Sequence, residues 1–85
     1  MMSNYVTAHE IELYAVNTQE LYEDHKRLAR RGVGLPRWQS YVRNHVWPLY
    51  QRQIEPNAIV RTTELHAAAA ILRDYYREHV AECDA

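Results

Sequence analysis

Residues 31–50, RGVGLPRWQSYVRNHVWPLY, contain the two features that organise this chain. Two glycines and a proline within residues 32–36 form a break, because glycine ends helices and proline is accepted in a helix's first turn. A second helix is therefore predicted to begin at Pro36 or Arg37. Pro48 lies inside that helix and lacks a backbone amide, but the apolar pattern continues beyond it, so we expect a kink at Pro48 instead of an end.

Upstream of this break, the sequence predicts a long first helix. Thr7 and Glu10 have the spacing of a capping box, in which two side chains satisfy the first free amides of a helix. Apolar residues then recur at steps of three and four until Gly32, which is a natural stop. Residues 17–20, Asn-Thr-Gln-Glu, have the composition of a second cap, so the segment forms two helices if it breaks near Asn17.

Downstream of the break, residues 57–61 are predicted to connect to a third helix capped by Thr62 or Thr63. Residues 58–60 are too short to make a sheet alone, so no strand is predicted. The apolar seams of the three helices are Ile11, Tyr14, Thr18, Leu21, His25 and Leu28; Trp38, Tyr41, Val42, His45, Leu49 and Gln53; and Leu65, Ala68, Ala69, Leu72, Tyr75, Tyr76, His79, Val80 and Cys83. The prediction is an all-α fold, a small antiparallel bundle of three helices, or four if the first breaks, in one domain spanning residues 1–85.

Composition limits the class of protein. The chain has 85 residues, of which 47% are hydrophobic, a formal net charge of -1 and one cysteine. A single cysteine cannot form an internal disulfide, which favours a reducing compartment, so we expect a cytoplasmic protein. The N-terminus does not resemble a signal peptide, and the longest apolar stretch, residues 67–72, is far shorter than a membrane span, so no membrane role is expected.

Charge is distributed unevenly along the chain. Residues 1–24 carry five acidic and no basic side chains, and residues 62–85 carry five acidic and two basic ones. Residues 25–61 carry eight basic side chains, seven of them arginines, against one glutamate. Arginines interleaved with tryptophan and tyrosine are typical of binding hot spots and of nucleic-acid surfaces. In the alternative interpretation, the basic middle faces the acidic ends across the bundle, with Glu23 and Arg27 as one local pair.

Trp47 is the predicted anchor of a binding surface. On a straight helix it lies about 180° from Trp38, opposite the apolar seam and beside arginines. An exposed tryptophan next to arginine is a strong candidate contact for a partner. Alternatively, the bend at Pro48 or the first helix covers Trp47 in an ordinary core. The predicted partner-binding residues are Arg37, Arg43, Asn44, Trp47, Gln51 and Arg52.

Support for a metal site or for catalysis is weak. His79 and Cys83 share a helix face, and His25 lies toward the same end of the predicted bundle, so these three are weak candidates for zinc. Boundary histidines that hydrogen-bond through one nitrogen are much commoner, and we therefore predict no metal and no cofactor. The chain has two glycines, which leaves no glycine-rich phosphate loop, and no catalytic spacing is recognisable, so no enzyme is predicted.

These features together predict a non-catalytic intracellular binding protein, an inhibitor or adaptor. It docks through the arginine-rich central hairpin, about residues 27–52, onto an acidic or nucleic-acid-binding surface of a protein partner. Short helical chains often act as inhibitors or adaptors in phages or mobile elements. This comparison rests on the size and type of the chain alone. The alternative is a small DNA- or RNA-binding regulator that uses the same arginines, against which the pI of 6.5 counts. A continuous first helix would leave an apolar overhang, which allows a symmetric homodimer.

Overall fold

A computed structural model describes residues 5–78, and most of these residues are helical. The helical elements are α1 (Ala8–Asn17), a 3-10 turn (Gln19–Leu21), α2 (Tyr22–Arg31), α3 (Leu35–Tyr41), a π-helical turn (Val42–Val46), α4 (Trp47–Gln53) and α5 (Thr62–Glu78). The backbone is helical at both ends of the π turn, so residues 35–53 form one helix, here the central helix. Residues 5–78 therefore form an all-α fold of four helices, which confirms the predicted class and the alternative helix count.

The first helical segment breaks where its second cap was expected. Thr18 has an extended backbone, with φ -97° and ψ 105°, and its hydroxyl donates to the carbonyl oxygen of Tyr14. That hydrogen bond satisfies a carbonyl of the last turn of α1, which has no partner within the helix. The break removes the continuous first helix, which was the premise for a possible symmetric homodimer.

The ends of α1 and α2 follow the sequence signals. The Glu10 amide donates to the Thr7 hydroxyl, and the Thr7 amide donates to the Glu10 carboxylate, at 3.3 and 3.2 Å. Gly32 ends α2 in the left-handed conformation, with φ 62°, which a residue without a Cβ adopts at no steric cost. The central helix begins at Leu35, one residue before the predicted start, and α5 begins at Thr62.

The π turn changes which residues of the central helix face the core. Its hydrogen bonds close over five residues instead of four, as between the Trp47 amide and the Val42 carbonyl. Each residue then advances by less than the roughly 100° of an α-helix, so later residues fall behind the straight-helix phase. Val46 is consequently fully buried, and His45, which was predicted on the apolar seam, is exposed. Trp47 is moved from the outer side to a half-buried position.

The core lies where α5 packs against α1, α2 and the central helix. The face of α5 toward this core carries Ala68, Ala69 and Leu72, all fully buried, so small side chains let the neighbouring helices approach closely. Tyr75, predicted on the same seam, is exposed, whereas Tyr76 is buried. His79, Val80 and Cys83 of that seam lie outside the described residues.

Two short strands join the beginning of the described chain to the connector before α5. β1 (Tyr5–Val6) pairs in parallel with β2 (Ile59–Val60), with Tyr5 opposite Ile59 and Val6 opposite Val60. The sequence predicts no strand here because residues 58–60 cannot form a sheet alone, and β1 supplies the missing partner. Beside this pair, the Glu64 carboxylate accepts a hydrogen bond from the Ala8 amide at 2.9 Å, which ties α5 to the start of α1.

Among residues 5–78, no helix has both the length and the apolar character that crossing a membrane requires.

Candidate functional site

A groove of about 560 Å³ lies between α2 and the central helix. Helical spacing explains its lining, because residues three, four or seven apart share one face of a helix. We call this cleft the arginine groove, and its lining residues are Asp24, Arg27, Leu28 and Arg31 of α2 and Arg37, Ser40, Tyr41, Asn44 and His45 of the central helix. Its volume falls within the range of ligand-binding clefts in proteins.

The cations of the groove are only partly neutralised by the chain's own carboxylates. Arg27 pairs with Asp24, at 3.2 Å between Nη1 and Oδ1. Within residues 5–78, neither Arg31 nor Arg37 forms an ion pair. The predicted ion pair between Glu23 and Arg27 does not form. Glu23 pairs instead with Lys26, three residues on, at 3.0 Å between Oε1 and Nζ. The groove therefore presents two guanidinium groups that are free to bind an anion.

Beneath the groove lies a cluster of aromatic rings around His25. His25 is completely buried, and its Nδ1 lies 3.0 Å from the Tyr76 hydroxyl. Its ring meets that of Tyr41 edge-on, with centroids 5.3 Å apart, and lies 6.3 Å from that of Trp38. Burial lowers the pKa of His25 to about 4, since a charged imidazolium is poorly solvated there.

Tyr41 connects this cluster to the groove. Tyr41 is 7% exposed and lines the cleft, and its buried hydroxyl has no hydrogen-bond partner within residues 5–78. Burial, and then the negative charge of Asp24, raise the pKa of Tyr41 far above its usual value. The hydroxyl therefore keeps its proton and is an unused hydrogen-bond donor. Such a buried group is rare in folded proteins, where nearly all are paired.

The structure brings together two of the six predicted partner-binding residues. Arg37 and Asn44 both line the arginine groove. Arg43 and Arg52 are exposed but do not line it. The Gln51 side-chain amide donates to the Ala58 carbonyl at 3.2 Å and so fixes the connector before α5.

Trp47, the sixth predicted residue, is half-buried against the core and outside the groove. Its ring stacks on that of Tyr50, with centroids 5.4 Å apart and planes inclined by 12°. One face of the indole is therefore already occupied by the chain itself.

The weak zinc candidates are not assembled by the described part of the chain. His79 and Cys83 lie outside residues 5–78, and His25 is engaged with Tyr76. Within residues 5–78, no three histidine, cysteine, aspartate or glutamate side chains are grouped closely enough to hold a metal.

The groove also contains residues that the sequence reasoning did not assign to a site. Arg27 and Arg31 lie four residues apart on α2, and Ser40 lies four residues before the predicted Asn44 on the central helix. This shared spacing across the glycine loop was the available signal, because it predicts two polar faces on helices joined by a short connector. Tyr41 was assigned to the core, where most of its ring lies.

No protein-family model matches this chain, and comparisons with curated proteins and with solved structures found no match either.

Proposed function

We propose that this chain is a non-catalytic intracellular binding protein that acts as an inhibitor or adaptor. It docks through the arginine groove onto an acidic segment of a partner protein. The observation that carries the proposal is that Arg31 and Arg37 converge on one cleft without ion-pair partners within residues 5–78. Arginine suits this role because its planar fork binds a carboxylate through two parallel hydrogen bonds and is less strongly hydrated than lysine.

Two further features favour a protein partner over a nucleic acid. The formal net charge of the chain is -1, whereas nucleic-acid-binding domains are usually strongly basic. Asp24 also lines the groove, and a carboxylate there disfavours a run of backbone phosphates. A short acidic segment that enters the cleft from one side avoids most of this repulsion.

The proposal includes the detailed arrangement of the helices. Three residues separate α2 from the central helix, and so short a connector supports an antiparallel pair. Pro48 in the first turn of α4 supports a bend of the central helix at that point. Together these features would hold the two walls of the groove beside one another.

The test is a titration with synthetic anions, followed by fluorescence anisotropy. The probes are a labelled poly-glutamate peptide and single-stranded and duplex DNA oligonucleotides of matched charge. We expect the peptide to bind more tightly than either DNA. Its affinity should decrease as the salt concentration is raised from about 50 to about 200 mM. Tighter binding of DNA would support the alternative, a nucleic-acid regulator, and binding of neither probe would overturn the proposal.

A matched pair of variants locates the surface. The double variant R31E/R37E reverses the two free groove cations, and R43E/R52E makes the same change in net charge outside the groove. We expect the first to weaken peptide binding by roughly a hundredfold, because each lost charged contact is worth about 1.5 kcal/mol or more, and the second by less than about threefold. A larger loss of affinity in R43E/R52E than in R31E/R37E would place the docking surface on the outer side of the central helix.

Trp47→Ala separates a structural from an anchoring role for this indole. Because the ring is half-buried and stacked on Tyr50, we expect the variant to lose about 2 kcal/mol of stability, roughly half the cost of a fully buried tryptophan. Peptide affinity should be unchanged in the folded variant. A variant that remains as stable as the wild type and no longer binds would make Trp47 the anchor.

A further inference from the structure

The net charge of the arginine groove exceeds what one carboxylate can neutralise. Arg27, Arg31 and Arg37 supply three positive charges, and Asp24 removes one, so the lining arginines and aspartate leave two positive charges in one cleft. A glutamate or aspartate side chain brings a single negative charge. A phosphate monoester at neutral pH carries nearly two, and a phosphodiester of a nucleic acid carries one. Among these groups, the monoester matches the groove best.

The neutral hydrogen-bonding groups of the groove point to the same chemistry. Ser40 and Asn44 are exposed in its wall, and each offers a side-chain donor. Tyr41 contributes a buried hydroxyl with no partner within residues 5–78. Together with the guanidinium groups, these donors outnumber what two carboxylate oxygens can accept. Phosphate has three oxygen acceptors spread around a tetrahedron, and it can use donors from both helices at once.

The size and shape of the cleft indicate that the phosphate arrives on a side chain. A cleft of about 560 Å³ is much larger than a phosphate group alone. Leu28 and the stacked rings of Tyr41 and His45, whose centroids are 5.6 Å apart, supply apolar surface beside the arginines. A phosphorylated tyrosine has an apolar ring for this surface and a dianion for the guanidinium groups.

We infer that the arginine groove receives a phosphorylated tyrosine of the partner protein, with Arg31 and Arg37 on the phosphate oxygens and the Tyr41 hydroxyl donating to one of them. This inference rests on the proposed function and specifies the ligand of the same site. The Tyr41 hydroxyl, which no group in residues 5–78 satisfies, then acquires a charged acceptor.

The experiment compares one acidic peptide with a central tyrosine in three forms, unmodified, O-phosphorylated and O-sulfated. The sulfate ester has the shape of the phosphate but a single negative charge, so it isolates the contribution of the second charge. In calorimetric titrations, the phosphorylated peptide should bind at least tenfold more tightly than the other two peptides. The double variant R31E/R37E should abolish this difference in affinity. A phosphoserine peptide of the same sequence should bind more weakly than the phosphotyrosine peptide, because it lacks the ring.

The variant Tyr41→Phe tests the hydroxyl. It removes one oxygen that has no partner within residues 5–78, so the variant should be at least as stable as the wild type. We expect a loss of roughly tenfold in affinity for the phosphorylated peptide, as for a hydrogen bond to a charged group, and a smaller loss for the unmodified acidic peptide, which brings no phosphate to this hydroxyl. A destabilised variant, or one with unchanged phosphopeptide affinity, would contradict the assigned role of the hydroxyl.

The outcomes separate this inference from the proposed function. Equal affinity for the three peptides would overturn the phosphotyrosine assignment and leave an acidic-segment binder in place. Equal affinity for the phosphoserine and phosphotyrosine peptides would remove the role of the ring. A preference for the single-stranded or duplex DNA over every peptide would overturn both.

Discussion

His25 is an imidazole enclosed by three aromatic rings, with one nitrogen paired to Tyr76 and the other without a partner in residues 5–78. Its folded pKa is lowered to about 4 from an ordinary value of 6.5, chiefly by burial. Well above pH 6.5 the ring is neutral in both the folded and the unfolded chain. As the pH falls toward 4, the unfolded chain takes up a proton that the folded chain excludes, so the folded state loses stability over this window.

The free energy of unfolding should therefore fall by about 3 kcal/mol between pH 6.5 and pH 4 on account of His25. Urea denaturation across this range measures the loss. His25→Leu removes the titrating group and should remove this part of the pH dependence, even though its stability at neutral pH differs. The exposed His66→Gln serves as the control and should keep the wild-type slope. If the leucine variant does not fold, an NMR titration of the His25 ring in the wild type provides the same test.

At the scale of the element, the π turn explains how the central helix accommodates Pro48. In a regular helix, the proline ring would crowd the carbonyl of Asn44. In the π turn at Val42–Val46, each hydrogen bond spans five residues instead of four. The α-helix begins again at Trp47, so the proline lies in its first turn. The extra residue also brings Val46 into the core.

Deletion of the exposed Arg43 should therefore convert the π turn to α-helix and keep the later core residues in place. The proline then lies within a regular helix, so we expect a folded variant that has lost up to about 3 kcal/mol. Adding Pro48→Ala should recover most of this loss. The control is deletion of the exposed Ala67 in α5, which rotates the rest of that helix by roughly 100° and should prevent folding. Thermal melts followed by circular dichroism compare the variants, and an Arg43 deletion that unfolds the chain would contradict this account.

Elements with a local cause could be predicted from the sequence, and those with a long-range cause could not. Thr7 and Glu10 act within one helix turn, and Gly32 acts through its own backbone, so their roles follow from residue type and spacing. The phase of Trp47 depends on a hydrogen-bond register that propensity does not encode. The arginine groove shows the same division. Its basic composition is visible in the sequence, but the placement of Arg31 and Arg37 in one cleft depends on the packing of two helices.

At the scale of the whole molecule, contacts join the start of the described chain to the start of α5. The Ala8 amide at the start of α1 donates to the Glu64 carboxylate of α5, next to the β1–β2 pair. A carboxylate there satisfies a free amide and interacts favourably with the positive end of the helix dipole.

Glu64→Ala should lower the free energy of unfolding by about 1 kcal/mol, the usual cost of losing a helix cap. The matched control is Asp74→Ala on the same helix, which removes a carboxylate of an exposed pair with Arg73 and should cost no more than roughly 0.5 kcal/mol. Chemical denaturation of both variants gives the comparison, and equal losses would show that the contact to Ala8 contributes nothing specific.

The pairing of Val6 with Val60 also bears on how the chain folds. These partners are separated by most of the described sequence, so bringing them together carries a large loop-closure entropy, whereas helices form from neighbouring residues. The two strands should consequently join after the rate-limiting barrier has been crossed. Substitutions at Val6 or Val60 would then accelerate unfolding and leave the refolding rate nearly unchanged.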